Sequence, residues 1–344
     1  MKLLTKLLFL VDVIVCVFLM LIMLPTFNKY HKIFVNYAIE NKNINYLSYV
    51  FFNQEQIDSF VDKKIDVIKI DEEDSDKYIV ETKDRITYDN EYDEIILARD
   101  PGNEDYKVIK TTIAKKDAYL VAIYDPSKVH ILTSKKFASA DHYSGLETVK
   151  QMTKRLNASV GINGGGFKQD SKSYSIDTPT GYVIKDGKVV WSKKGKGNLI
   201  CMTNDNKLTL LKTTGEDAIK NHDVRDALEF GPFLIVDGVT QKIPESAGGY
   251  TRSARSIIAQ RRDGVILFLV TNVKNGYTDG STLKEIVNFL EKYDVYNAAN
   301  LDGGASSQLV VDGKVINKPL NIYNRIVNGG NGRSLVTGWG LIDE

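Results

Sequence analysis

Asn300-Leu301-Asp302-Gly303-Gly304-Ala305-Ser306-Ser307-Gln308-Leu309-Val310-Val311-Asp312-Gly313 is a polar glycine turn that runs straight into a β-branched strand and ends on an Asp-Gly pair. Adjacent glycines reach positive φ and let main-chain N–H groups approach an anion, while Asp302 offers a carboxylate and Ser306 and Ser307 offer hydroxyls. The same residues would also make a self-closing turn in which Asp302 caps its own backbone. The Asp-Gly pair signals a two-residue hairpin. It recurs between apolar runs at Asp186-Gly187, Asp237-Gly238 and Asp263-Gly264. This uneven spacing describes a sheet built of hairpins rather than a repeat array.

Helical periodicity is sparser. Leu146, Val149, Met152 and Leu156 mark one helix between Gly145 and Leu156, and Leu283, Ile286, Val287 and Leu290 mark another between Thr282 and Tyr293. Ser281 or Thr282 reads as its N-cap, with Glu285 completing a capping box. The expected fold is α+β, a largely antiparallel hairpin-built sheet with packed helices, occupying residues 106–344.

Ahead of it, Lys2 and Lys6 precede an apolar run from Leu7 to Leu24, broken only by Asp12 and long enough for a transmembrane helix. No small residues precede Pro25 to suit a signal-peptide cleavage site, so residues 1–27 read as a retained membrane anchor. The lysines before the span place the N-terminus in the cytoplasm and the C-terminal domain outside a single-pass cell membrane protein. Residues 28–105 are aromatic and charged, with Asp71-Glu72-Glu73-Asp74-Ser75-Asp76 as a solvated linker; they read as a helical juxtamembrane stalk.

The chain of 344 residues carries 45 Lys plus Arg against 44 Asp plus Glu, so no global field recruits nucleic acid, and an anionic partner must be held by local groups. Two cysteines, Cys16 in the apolar run and Cys201 in Leu199-Ile200-Cys201-Met202, provide neither a disulfide nor a cysteine metal site. The four histidines lack zincin spacing, and no Gly-x-Ser-x-Gly elbow accompanies them.

What remains for chemistry is carboxylates, amides, arginines and glycine turns. Val160-Gly161-Ile162-Asn163-Gly164-Gly165-Gly166-Phe167 is a second glycine-rich turn, with neither P-loop nor dinucleotide spacing. Glu229 stands ahead of Gly231-Pro232, and Asp279 precedes Gly280 at the helix start. Arg252 and Arg255 lie three apart at a strand entry, so alternation sends them to opposite faces and only one enters a given site. Arginine's planar fork suits a phosphate. Together these groups suit a carbohydrate joined to a phosphate.

The ordered set Ile162-Asn163-Gly164-Gly165, Pro179-x-Gly181, Gly231-Pro232, Arg252-Ser253-Ala254, Gly280-x-Thr282-Leu283 and Asn300-Leu301-Asp302-Gly303-Gly304-x-Ser306-Ser307 resembles the phosphodiester glycosidase family. The resemblance implies a hydrolase that removes a sugar, N-acetylglucosamine-like, from a sugar-1-phosphodiester on a cell-surface glycan or exopolysaccharide. Carried over by motif are Asn163, Arg252 and Asp302, with Gly164, Gly165, Gly303, Gly304, Ser306 and Ser307 as substrate-binding positions. In this reading Arg252 and the glycine N–H groups clamp phosphate, Asp302 acts as general base or ion stabiliser, and Glu229 or Asp279 is the second carboxylate. No cofactor is expected, and a divalent cation is left open. The family's usual third glycine is Ala305 here, which is costly if that position takes positive φ. Loss of turnover at that position would leave a polysaccharide-binding or assembly protein on the same fold.

Overall fold

A computed structural model divides the chain into two compact units, Met1–Lys69 and Ile70–Glu344. The residues it describes are chiefly 88–135, 146–169, 176–243, 251–273, 279–320 and 332–343, all in the second unit. The expected anchor over 1–27 and nearly all of the stalk before 88 lie outside the described residues. Among the described residues, no helix is long and apolar enough to cross a membrane.

The organising layer is a seven-stranded sheet in the order Tyr106–Ile113, Lys116–Ile123, Ile266–Thr271, Arg255–Arg261, Val295–Asn300, Phe233–Val236 and Val239–Thr240. Its strand pairs are all antiparallel. The central runs Ile257-Ile258-Ala259 and Ile266-Leu267-Phe268-Leu269-Val270 are continuously apolar because the sheet is covered on both faces. Successive side chains alternate between two cores. Ile258, Ile266, Phe268 and Val270 face one with Trp339, Ile162 and Ile200, while Ile257, Leu267 and Leu269 face the other with Leu283, Ile286 and Leu290.

The first core is closed by two five-stranded antiparallel sheets. One runs Lys314–Val315, Leu309–Val311, Ala158–Asn163, Thr337–Ile342 and Val129–Thr133; the other runs Leu208–Thr213, Gly197–Thr203, Val224–Glu229, Val183–Lys185 and Lys188–Trp191. Helix Val149–Leu156 covers the outside of the former through Val149 and Met152, and helix Gly215–His222 covers the latter through Ala218.

Each of the four Asp-Gly pairs that lie between apolar runs joins antiparallel neighbours. Asp186-Gly187, Asp237-Gly238 and Asp312-Gly313 put both residues at positive φ, between 48° and 76°, as a two-residue hairpin turn with matching twist requires. At Asp263-Gly264 only the glycine is left-handed (φ 90°), because the loop is longer and Arg261 N–H reaches the Val265 carbonyl across it.

Two helices match the sequence spacing, Val149–Leu156 and Leu283–Leu290, while Glu91–Leu97 and Gly215–His222 were not expected. Glu91–Leu97 falls inside the stretch read as stalk, yet Ile96 is fully buried in the sheet's second core, and Asp93 bonds the buried Arg261 guanidinium at 2.6 Å. A seven-residue helix is marginal alone, so this packing rather than propensity supports it.

Thr282 caps the helix Leu283–Leu290: its hydroxyl accepts from the Glu285 N–H at 3.2 Å, and the Glu285 carboxylate accepts from the Thr282 N–H at 2.9 Å. Thr282→Ala should therefore cost about 1 kcal/mol, measurable by urea unfolding. An unchanged midpoint would mean that water replaces the cap at no cost.

Candidate active site

Two strand ends from different sheets meet at the site. Ala158–Asn163 belongs to a five-stranded sheet and Val295–Asn300 to the seven-stranded one, and each breaks into a glycine turn where the layers meet. The turns are tied directly: Asp302 N–H donates to the Gly164 carbonyl at 3.0 Å, and Asn163 Nδ2 donates to the Asp302 carbonyl at 2.6 Å. Asn163 is fully buried, and its Oδ1 accepts from Ser256 Oγ at 2.7 Å and from the Gln308 N–H at 3.1 Å. Because a backbone N–H can only donate, the Gln308 contact fixes which amide atom is oxygen. Asn163 thus ties the two turns together and positions Asp302.

The glycines serve different purposes. A Cβ at Gly164 would lie 2.6 Å from Thr337 Oγ1, and one at Gly165 would lie 2.8 Å from the Glu229 carbonyl, so close approach requires both. In the other turn the positive φ falls on Gly304 (60°), which also donates its N–H to the Ala254 carbonyl at 2.8 Å. Ala305 is not left-handed; its methyl joins Ala254, Val273 and Leu320 in a small apolar cluster. Alanine in place of the family's third glycine thus fits this backbone without strain.

Asp302 is half-buried between the turns. Burial pushes its carboxyl up to about 6, against the Ser306 hydroxyl hydrogen bond, the Arg333 charge and the Gly303 N–H, which all favour the ionised form. Ser306 and Ser307 are buried beside it, and Ser307 Oγ has no hydrogen-bond partner among the described residues.

The other expected residues are placed as follows. Glu229 ends the strand Val224–Glu229, with its carbonyl against Gly165 and its carboxylate accepting from Lys193 Nζ and, at 3.2 Å, from the Tyr182 N–H. It borders the paired turns as half of an ion pair. Asp279 pairs with Lys116. Arg252, read as the phosphate clamp, is 42% exposed and directs Nη2 to Glu285 at 2.6 Å and Nη1 to the Gly280 carbonyl at 3.0 Å. It braces the helix start. Arg255 is buried, with Nε directed to the Ser281 carbonyl at 3.3 Å, so both arginines bond the segment that opens the helix Leu283–Leu290. The geometry thus gathers Asn163, Gly164, Gly165, Asp302, Gly303, Gly304, Ser306 and Ser307, with Glu229 adjoining, and assigns Arg252 and Asp279 to local ion pairs.

Arg333 was not singled out from the sequence. It precedes the strand Thr337–Ile342, faces Asp302 electrostatically, and holds its guanidinium carbon 4.9 Å from the Phe167 ring centroid. The available signal was a glycine-rich stretch of sequence, Gly329-Gly330-Asn331-Gly332-Arg333, ahead of the apolar run Leu335-Val336.

Among the described residues, His130, Asp186 and Asp226 form a set whose ligand-type atoms lie within 4.8 Å of one another. The buried Asp226 carboxylate already accepts from Arg225 Nε at 3.2 Å and from the Asp186 N–H at 3.2 Å, and contacts His130 Nδ1 at 2.9 Å. Arg225 supplies the positive charge a cation would otherwise bring, so the cluster reads as structural.

A family model described as phosphodiester glycosidase matches residues 156–341. The chain is 26% identical over 221 residues to an uncharacterized SPbeta prophage-derived protein of Bacillus subtilis (strain 168), covering 63% of this chain and 34% of that protein. It is 23% identical over 242 residues to N-acetylglucosamine-1-phosphodiester alpha-N-acetylglucosaminidase of Mus musculus, covering 64% of this chain and 45% of that one. The chain thus spans less than half the length of either relative. A solved zebrafish structure, the catalytic domain of N-acetylglucosamine-1-phosphodiester alpha-N-acetylglucosaminidase auto-inhibited by its pro-peptide, superposes with a TM-score of 0.55 at 20% identity, covering 70% of this chain and 83% of that one. That likeness is one of fold.

Proposed function

The chain belongs to the phosphodiester glycosidase family, and from that premise we propose that it hydrolyses the glycosidic C–O bond of a sugar-1-phosphodiester. The observation that carries this reading is the Asp302 carboxyl, raised to about 6 between two hydrogen-bonded glycine turns. At neutral pH it is ionised yet basic enough to accept a proton, as a general base requires. Water adds to the anomeric carbon, its proton passes to Asp302, and the C–O bond electrons leave with the phosphate oxygen. The products are free sugar and a phosphate monoester. A phosphate monoester is a fair leaving group, so charge stabilisation can replace strong general-acid help. Glu229, bordering the turns beside Lys193, is the second carboxylate of this proposal.

An N-acetylglucosamine-like sugar and a cell-surface or exopolysaccharide glycan are the substrate proposed. The apolar run from Leu7 to Leu24 supports tethering to the membrane with the domain outside.

Product analysis tests the reaction. The full chain in detergent, incubated with an N-acetylglucosamine-1-phosphodiester, should release free sugar and phosphate monoester, with kcat/KM rising through about pH 6 as Asp302 ionises. Release of sugar-1-phosphate would instead mean attack at phosphorus, and binding without turnover would mean a polysaccharide-binding protein on this fold.

A further inference from the structure

Arg333 departs from the pattern of its neighbours. Arg225, Arg252, Arg255 and Arg261 each direct their guanidinium N–H groups to carboxylates or carbonyls of the protein. Arg333 Nε and Nη2 are both buried and have no hydrogen-bond partner among the described residues. Burial pulls this guanidinium's proton affinity down while Asp302 holds it up, and it stays charged because arginine starts so high. A buried charge with unfilled donors is costly, and an anion that fills them offsets both the lost hydrogen bonds and the charge.

The rest of the residue is held in place. The Arg333 carbonyl accepts from Gln308 Nε2 at 2.7 Å, and Gln308 Oε1 accepts from the Val149 N–H at 3.2 Å, which ties the backbone to a helix start. The backbone N–H of the same Gln308 donates to Asn163 Oδ1, so the residue that helps position Asp302 also positions Arg333. The side chain lies over Phe167, whose ring follows directly on Gly164-Gly165-Gly166. Nε and Nη2 are the two atoms of one guanidinium edge, the fork that meets two oxygens of a phosphate in parallel.

We propose that the Nε–Nη2 edge of Arg333 is the phosphate clamp of this site, binding two non-bridging oxygens of the phosphodiester while Phe167 holds the guanidinium plane. The proposal rests on the phosphodiester reading above for the ligand's identity. It moves the clamp from Arg252, whose donors serve Glu285 and Gly280, to a residue whose Nε and Nη2 have no partner among the described residues.

The test is titration calorimetry of the full chain with inorganic phosphate, which needs no turnover, on the parent, Arg333→Lys and Arg333→Gln proteins. Lysine keeps the charge but loses the fork, so affinity should fall about tenfold, and glutamine should abolish measurable binding. Thermal midpoints check folding. Should either variant unfold, phenylglyoxal modification of the parent decides the matter: phosphate should protect Arg333. Equal phosphate affinity in folded variants, or equal modification with and without phosphate, overturns the proposal. Phosphate binding through Arg333 without release of free sugar would sink the glycosidase reading and leave the clamp standing. Turnover with Arg333-independent phosphate affinity would do the reverse.

Discussion

Asp302→Asn is expected to lower kcat about a thousandfold and, above pH 6, to raise the melting temperature. The first effect follows from losing the one carboxylate both glycine turns are built around. The second follows from proton linkage. Burial pushes the Asp302 carboxyl up to about 6. Between the ordinary carboxylate range and about pH 6 the folded protein therefore keeps a proton that the unfolded chain has released. Folding takes up a proton in that window, so stability falls as pH rises through it and stays at the lower level above. Asparagine carries no charge at any pH and escapes this loss. Parent and variant should melt together near pH 4 and diverge by pH 8, with the inactive protein the more stable. Melting curves that coincide at both values would show that the carboxylate is solvated well enough to ionise freely.

Asn163→Ala is expected to be nearly as damaging by a different route. Removing the amide strands the Ser256 hydroxyl, the Gln308 N–H and the Asp302 carbonyl, all of which it binds. Each unsatisfied buried group costs about 1–3 kcal/mol, so the variant should lose about 3 kcal/mol or more in urea unfolding. Turnover should fall about a hundredfold because Asp302 is no longer held. Asn163→Asp distinguishes positioning from simple packing. It keeps the shape and the two accepting contacts but sets an oxygen against the Asp302 carbonyl at the 2.6 Å contact. If the aspartate variant keeps parental kcat, the contact to Asp302 is not what positions the site.

Both effects depend on pairing between residues 139 apart in the chain, Asn163 and Asp302, and on Gln308 serving both Asn163 and Arg333. Local chemistry made the turns legible in advance. Three of the Asp-Gly pairs take the left-handed conformation that two-residue hairpins need, and the Thr282 hydroxyl and Glu285 carboxylate close a box within one helical turn. Each of these is decided within a few residues. The helix Glu91–Leu97 was not legible because its seven residues owe their order to Ile96 and the Asp93–Arg261 pair, which are tertiary contacts.

The sequence by itself determined an antiparallel, hairpin-built α+β domain and the two glycine turns that carry its polar groups, because backbone conformation and strand patterning are short-range properties. Only the tertiary structure decided which arginine faces Asp302. Nothing local shows that Glu285 takes up Arg252 while Arg333 Nε and Nη2 have no hydrogen-bond partner among the described residues. The same holds for Ala305, whose cost depended on which residue of the turn is left-handed; that conformation falls on Gly304, whose N–H bonds the Ala254 carbonyl just ahead of the strand Arg255–Arg261. Hydrogen-bond partners and burial are settled by which sheets stack, and that stacking sets the Asp302 carboxyl near 6.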